Sequence, residues 1–191
     1  MNTVTATTIL SPDVAVGTAF VRSTMNKIIW AAVLAACAAH PVHAQALIIN
    51  LRSIAPEAAL RVARAALDHC AKQGYQVAVT VSDRAGHPLV MLRDRLAGPH
   101  TPQVATDKAY TALTFKLDTL ALARLTQPGQ EASGIRHVAR AVAIGGGRGI
   151  QAAGSTIGAI GVSGAPGGEA DDVCAKAGIA SIADDLELAA P

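Results

Sequence analysis

Residues 138–172, VARAVAIGGGRGIQAAGSTIGAIGVSGAPGGEADD, decide the fold. Three short runs of β-branched and small residues are each bounded by glycine, a pattern of strands joined by tight turns. Val138 to Ile144 reads as a strand and Gly145-Gly146-Gly147 as a backbone-permissive turn or crossing. Arg148 to Ala153 and Thr156 to Ser163 then read as a hairpin around Gly154-Ser155. Gly167-Gly168 ends the sheet, and Glu169, Asp171 and Asp172 fall in the first turn of a helix, where negative charge complements the dipole. A strand made of Gly158, Ala159, Gly161 and Ser163 leaves room above it. Something must approach that backbone closely, either a packed helix or a flat ligand.

Working outward, Gln76 to Ser82 is a strong strand, Asp83 to Gly86 a turn, and Pro88 to Arg93 its hairpin partner. Before them, Pro56 opens a helix whose stripe is Leu60, Ala63, Leu67 and Cys70, and Gly74 stops it. After them, Thr101 caps a helix with Pro102 at its first position, and Val104, Lys108, Thr111 and Phe115 share one face. Asp118 or Thr119 caps a short helix through Leu125, residues 127–134 form a loop, and a last helix spans roughly 170–188. The order is helix, two strands, two helices, three strands, helix. It predicts an α/β protein of the α+β type: one domain with a five-stranded, largely antiparallel sheet flanked by helices.

The N-terminal region carries export signals. Met25-Asn26-Lys27 followed by IIWAAVLAACAA is a charged n-region and an apolar h-region, and Val42-His43-Ala44 offers a cleavage site before Gln45. Residues 1–24 read as a leader or upstream start, 25–44 as a signal peptide, 45–54 as a linker or arm, and 55–190 as the domain. Leu34-Ala35-Ala36-Cys37 also fits a lipoprotein box, which would anchor the chain at Cys37. Simple secretion or a periplasmic location is the preferred expectation. The apolar run from Ile28 to Ala39 is too short to span a bilayer, so no transmembrane span is expected after processing.

Removing Arg22, Lys27 and Asp13 from 16 basic and 14 acidic residues leaves the mature part at +1, with no basic cluster to favour nucleic acid. Cys70 and Cys174 remain. An oxidising compartment permits a bridge between them, but two small buried residues in separate helices is the preferred reading.

Several motifs exclude themselves. Gly147-Arg148-Gly149-Ile150-Gln151-Ala152 matches the dinucleotide fingerprint, yet strand-like residues follow where a helix must begin. There is no Gly-Lys-Ser/Thr, no C-x-x-C-H, and Gly161 to Ala165 lacks the spacing of a nucleophile elbow. Of the histidines left, His69, His87 and His137 sit where polar residues need no function. His100 differs: it lies beside Gly98 and Pro99 in a loop expected to be preorganised. Lys108 falls on a core-facing helix, where it either snorkels or serves as a cation for a carboxylate, a propionate or a neighbouring Asp.

Three blocks in order, VAVTVSDRAGHPLVMLRDRLAGPHT, ATDKAYTALTF and GAIGVSGAPGGEADDVCAKAGI, resemble the GlcG/HbpS-type haem-binding family from about Pro56 to Leu188. The resemblance implies an antiparallel sheet flanked by helices, homo-oligomers, and non-covalent binding of haem or a related tetrapyrrole in sensing, carriage or slow degradation. By position it points to His100 and Thr101 from the GPHT segment and to Lys108 and Thr111 from DKAYTA. His100 is the expected axial metal donor, Tyr110 and Thr111 are oxygen alternatives, and Arg93 and Arg148 complete the set of cofactor-binding candidates. GGGRGI departs from the family's glycine run, which bears on ligand size. The competing expectation is an accessory or enzyme-like module that binds a small carboxylate through Lys108 with Arg93 or Arg148. No catalytic residue is assigned.

Overall fold

The structure, a computed structural model, describes residues 49–188. The chain divides after Ile49, and the unit beginning at Asn50 holds every element named below. The expected leader, the signal peptide, both cleavage sites and residues 45–48 of the arm lie outside the described residues.

Helix α1 (Pro56–Lys72) starts with proline at its first position, where the missing N–H costs nothing, and ends at Gly74, whose φ is +80°. Strands β1 (Ala78–Asp83) and β2 (Pro88–Arg93) form the first hairpin. Helices α2 (Thr101–Phe115) and α3 (Thr119–Leu125) follow, then a 3-10 helix over Glu131–His137. Strands β3 (Gly147–Ala152) and β4 (Ser155–Ser163) form the second hairpin, turning through Ala153 and Gly154, both at positive φ. Helices α4 (Gly168–Ala180) and α5 (Ala183–Leu188) divide what reads in sequence as one last helix.

The sheet is antiparallel throughout, in the order β2-β1-β4-β3. It has four strands rather than the five expected, because residues 138–144 do not join it. Val142 N–H donates to the Thr111 hydroxyl at 2.9 Å, and that hydroxyl also lies 3.1 Å from the Arg140 carbonyl. Side-chain bonds from α2 thus take up backbone groups that a sheet ladder would have used. Arg140 adopts φ +66°, which no strand permits. The segment is a strap laid across α2.

One face of the sheet carries Val79, Val81, Ile160, Val162 and Ile150 into a core closed by α1 and α4. Ile54, at the end of the arm, is buried there too, and its N–H donates to Ile157 C=O at 2.9 Å. The buried stripe of α1 is Ala59, Val62, Ala63, Ala66 and Cys70, while Leu60 is about half exposed. Small residues win this face because α4 comes close: a Cβ on Gly178 would lie 2.8 Å from Val62 O and 2.9 Å from Ala66 Cβ. Cys70 and Cys174 form a disulfide between these helices, against the expectation of two unpaired residues. The same close approach that selects small residues brings their Cα atoms to 5.6 Å, inside bridging range.

The opposite face settles what approaches the glycine strand. Helix α2 lies on it, with Ala105, Ala109 and Ala112 buried toward the sheet. A Cβ on Gly161 would run into the backbone of Ala105 and Ala109. The room above β4 at this point is filled by a helix. The α2 face read from sequence was therefore rotated: its alanines face the sheet, and Val104 is only partly covered. Among the described residues no helix is long and apolar enough to cross a membrane.

Candidate functional site

The N-terminal half of α2, the end of β4 and the start of α4 enclose a groove of about 360 Å³. Gly98, His100, Thr101, Val104 and Lys108 line one side, and Ser163, Gly164, Ala165, Gly167 and Gly168 with Asp171 line the other. Ile144, at the end of the strap, completes the rim.

Lys108 sits at the floor. Its side chain is 1% exposed, and its Nζ donates to Asp171 Oδ2 at 2.7 Å and to Val162 C=O at 2.8 Å. Asp171 Oδ1 accepts Ala165 N–H at 3.0 Å, and Gly164 N–H also bonds this carboxylate. Burial pushes the Asp171 carboxyl above its ordinary range, and its bonds to Lys108 and the turn pull the other way. Burial likewise lowers the Lys108 ammonium, opposed by attraction to Asp171 and then Asp172. Desolvation outweighs pairing on both partners. Lys108 and Asp171 thus spend their polar atoms on each other, on Val162 C=O and on the N–H groups of Gly164 and Ala165.

Glycine makes this junction possible. Gly146 has φ +111°, and a Cβ there would lie 2.6 Å from both Asp171 Cβ and Val162 O. Of the two readings of the three glycines, turn or crossing, the structure shows the crossing: the strap passes over the ion pair here.

At the rim, His100 is exposed. Its ring folds back over Gly98, where a Cβ would stand 2.9 Å from Cε1 and 3.1 Å from Nδ1. Thr101 is buried and donates its hydroxyl to Gly98 C=O at 2.7 Å, tightening the loop rather than capping the helix.

The other residues singled out from sequence lie elsewhere. Arg148 donates from Nη1 to both oxygens of Asp172, at 3.0 and 3.1 Å, and pairs with Asp118 at 2.7 Å. It lines a separate polar cleft of about 210 Å³ with Lys116, Gln151 and Thr156. Arg93 is exposed and donates to Ala97 C=O at 3.5 Å. Tyr110 lies under the Arg140 guanidinium, 3.9 Å from ring centroid to Cζ. Thr111 is buried and anchors the strap. The structure thus brings His100, Thr101 and Lys108 into one groove and leaves Arg93, Tyr110, Thr111 and Arg148 outside its lining. A carboxylate clamp of Lys108 with either arginine is not assembled.

Asp171, Ile144 and Gly98 were missed as site residues. A lysine on a core-facing helix signals that an acid must be buried with it, but Glu169, Asp171 and Asp172 all qualified by sequence. Among the described residues no group of three or more His, Cys, Asp or Glu is placed to hold a metal ion by itself.

The family model described as "Haem degrading protein HbpS-like" matches residues 54–180. A double mutant of Streptomyces reticuli HbpS is 36% identical, with a TM-score of 0.67 over 74% of this chain and 96% of that one. Klebsiella pneumoniae protein ORFY is 27% identical, with a TM-score of 0.68 over 71% of this chain and 94% of that one. A PduOC:heme complex is 28% identical, with a TM-score of 0.64 over 69% of this chain and 96% of that one. No curated protein matches the chain in sequence. The chain belongs to the HbpS-like family.

Proposed function

We propose that this chain is an exported haem- or tetrapyrrole-binding protein that serves haem sensing, carriage or slow degradation. The observation that carries the reading is the groove in which an exposed imidazole, His100, stands beside the apolar side chains of Val104, Ile144 and Ala165. Membership of a family described as haem degrading supports it, as does the haem complex of a structural relative.

Haem requires an axial donor, an apolar contact for its ring and cations for its propionates. The groove fits the first two. It does not supply the third, because Lys108 is committed to Asp171 and Val162 and, among the described residues, no other lysine or arginine lines it. At about 360 Å³ the groove is also at the small end of the ~300–1,000 Å³ range of ligand sites, so one chain covers an edge of the macrocycle. Bound haem would supply the redox-active iron. The protein's own part is to present an imidazole, hold the floor rigid through the buried ion pair, and offer apolar contact at the rim.

Homo-oligomerisation, at least to a dimer, belongs to the same reading. It suits a groove that covers part of its ligand and a surface exposing Leu60, Met91, Leu96, Leu125 and Val173. Export is supported by the disulfide, since such bonds persist in oxidising compartments. It is also supported by the signal pattern that ends at Ala44, with Cys37 lipidation as the alternative.

Titration of the mature protein with haemin is the test. A saturable Soret shift at one haem per groove is expected, and a featureless, non-saturating titration would sink the proposal. The competing small-carboxylate reading lacks its two-cation clamp and is not favoured.

A further inference from the structure

The strap formed by residues 138–146 has an arrangement that the core does not require. Its C-terminal end is wedged: a Cβ on Gly145 would lie 2.5 Å from Gly168 O, and Gly146 crosses the Lys108–Asp171 pair. Its N-terminal end is held by side chains from α2. Arg140 Nε donates to Asp107 Oδ1 at 2.9 Å, and its guanidinium covers the Tyr110 ring at 3.9 Å. Thr111 bonds the strap on either side of Ala141, through Arg140 C=O and Val142 N–H. Arg140 holds φ +66°, an uncommon conformation for a non-glycine residue that persists where the surroundings over-determine it.

Between these two anchors the strap buries Ala143 but leaves Ile144 51% exposed, over the groove. A fixed backbone and a β-branched side chain leave Ile144 little freedom to lose on contact. Much of the facing wall is glycine and alanine, so this is the bulkiest apolar contact on the rim.

We propose that Ile144 is the specificity-determining apolar contact of the groove, selecting a flat apolar-edged ligand. Arg140, which does not line the groove, positions it from outside by latching the strap to Asp107 and Tyr110. The proposal deepens the tetrapyrrole reading and rests on it for the ligand, while the latch itself is independent of any ligand.

Two measurements test it on Ile144→Ala, Arg140→Ala and the double variant, all altered at the surface. The first is amide hydrogen exchange over residues 141–144 in the ligand-free protein. Arg140→Ala is expected to accelerate it, and unchanged exchange would overturn the latch. The second is haemin transfer to excess apomyoglobin. Each single variant is expected to release haemin about tenfold faster, the scale of one apolar contact. The double variant should be no faster than the faster single, because Arg140 acts through Ile144. Additive effects, or no effect of Ile144→Ala, would overturn the proposal. If the wild-type protein takes up no haemin, the tetrapyrrole reading falls together with the role given to Ile144, and the exchange result alone then decides for or against the latch.

Discussion

Lys108 Nζ and Asp171 Oδ2 lie 2.7 Å apart with side chains 1% and 5% exposed, so α2 and α4 are joined by an ion pair removed from water. Such a pair costs desolvation that its attraction barely returns, yet breaking it leaves a lone buried charge. Lys108→Met or Asp171→Leu alone should therefore lose ~3–5 kcal/mol. The double variant should recover most of that loss. Urea unfolding of the three proteins checks this, and a double variant as unstable as the worse single would contradict it.

The same pair gives stability a pH signature with two limbs. Asp171 is shifted up from 3.8, so its contribution is fully present below that pH and is lost as pH rises through the folded value. Lys108 is shifted down from 10.5, so its contribution is fully present above that pH and is lost as pH falls through the folded value. Subtracting the double variant's stability curve from the wild type's should leave a trough at intermediate pH with a rise toward each end. A difference curve peaked at neutrality would show that pairing, rather than desolvation, dominates.

Gly161 tests the seating of α2 on the sheet. A Cβ there meets the Ala105 and Ala109 backbones, which cannot rotate away as a side chain could. Gly161→Ala should cost at least ~3 kcal/mol, at the upper end of overpacking effects. Gly134→Ala, with nothing within 4 Å of its Cβ, should change stability little. Thermal melts of both variants check the contrast.

His100→Ala is expected to alter the Soret band and weaken haemin binding at least ~tenfold, the scale of one lost ligand-directed interaction. His69→Ala and His137→Ala should change neither. Gly98→Ala gives a gentler version: its Cβ displaces only the His100 ring, the movable end of a side chain, so the spectrum should shift while the melting temperature holds. An unaltered spectrum in both His100→Ala and Gly98→Ala would remove His100 as the donor.

The disulfide closes a separation of 104 residues between α1 and α4. The chain-entropy scale for a loop near that length is about 4–5 kcal/mol, and removal of native bridges typically costs 2–5 kcal/mol. A Cys70→Ala/Cys174→Ala double variant should lose stability in that range by guanidinium unfolding. It should also melt at the same temperature with and without reductant, unlike the wild type.

The parts of this molecule legible in the sequence are those fixed by neighbours in the chain. The hairpins 78–93 and 147–163 follow from alternation and turn glycines, and α1 from Pro56 and Gly74, because strand period, turn conformation and helix termini are local properties. The resemblance in three ordered blocks likewise foretold an antiparallel sheet flanked by helices, and the family match bears it out. His100, Thr101 and Lys108, which the resemblance offered as cofactor-binding candidates, line one groove because they lie within nine positions on one loop and helix.

Tertiary structure decided the rest. Val138 to Ile144 has strand composition, yet it is a strap because Thr111, some thirty residues earlier, bonds its backbone first. The space above Gly161 could have held a ligand or a helix, and only the packing of α2 chose between them. Lys108 needed one of three nearby acids, and Asp171 won while Asp172 turned to Arg148. Cys70 found Cys174 because Ala66 and Gly178 let two helices come close. Each of these outcomes compares contacts between residues far apart in the chain. No local period encodes that comparison, and burial makes it only when the elements meet.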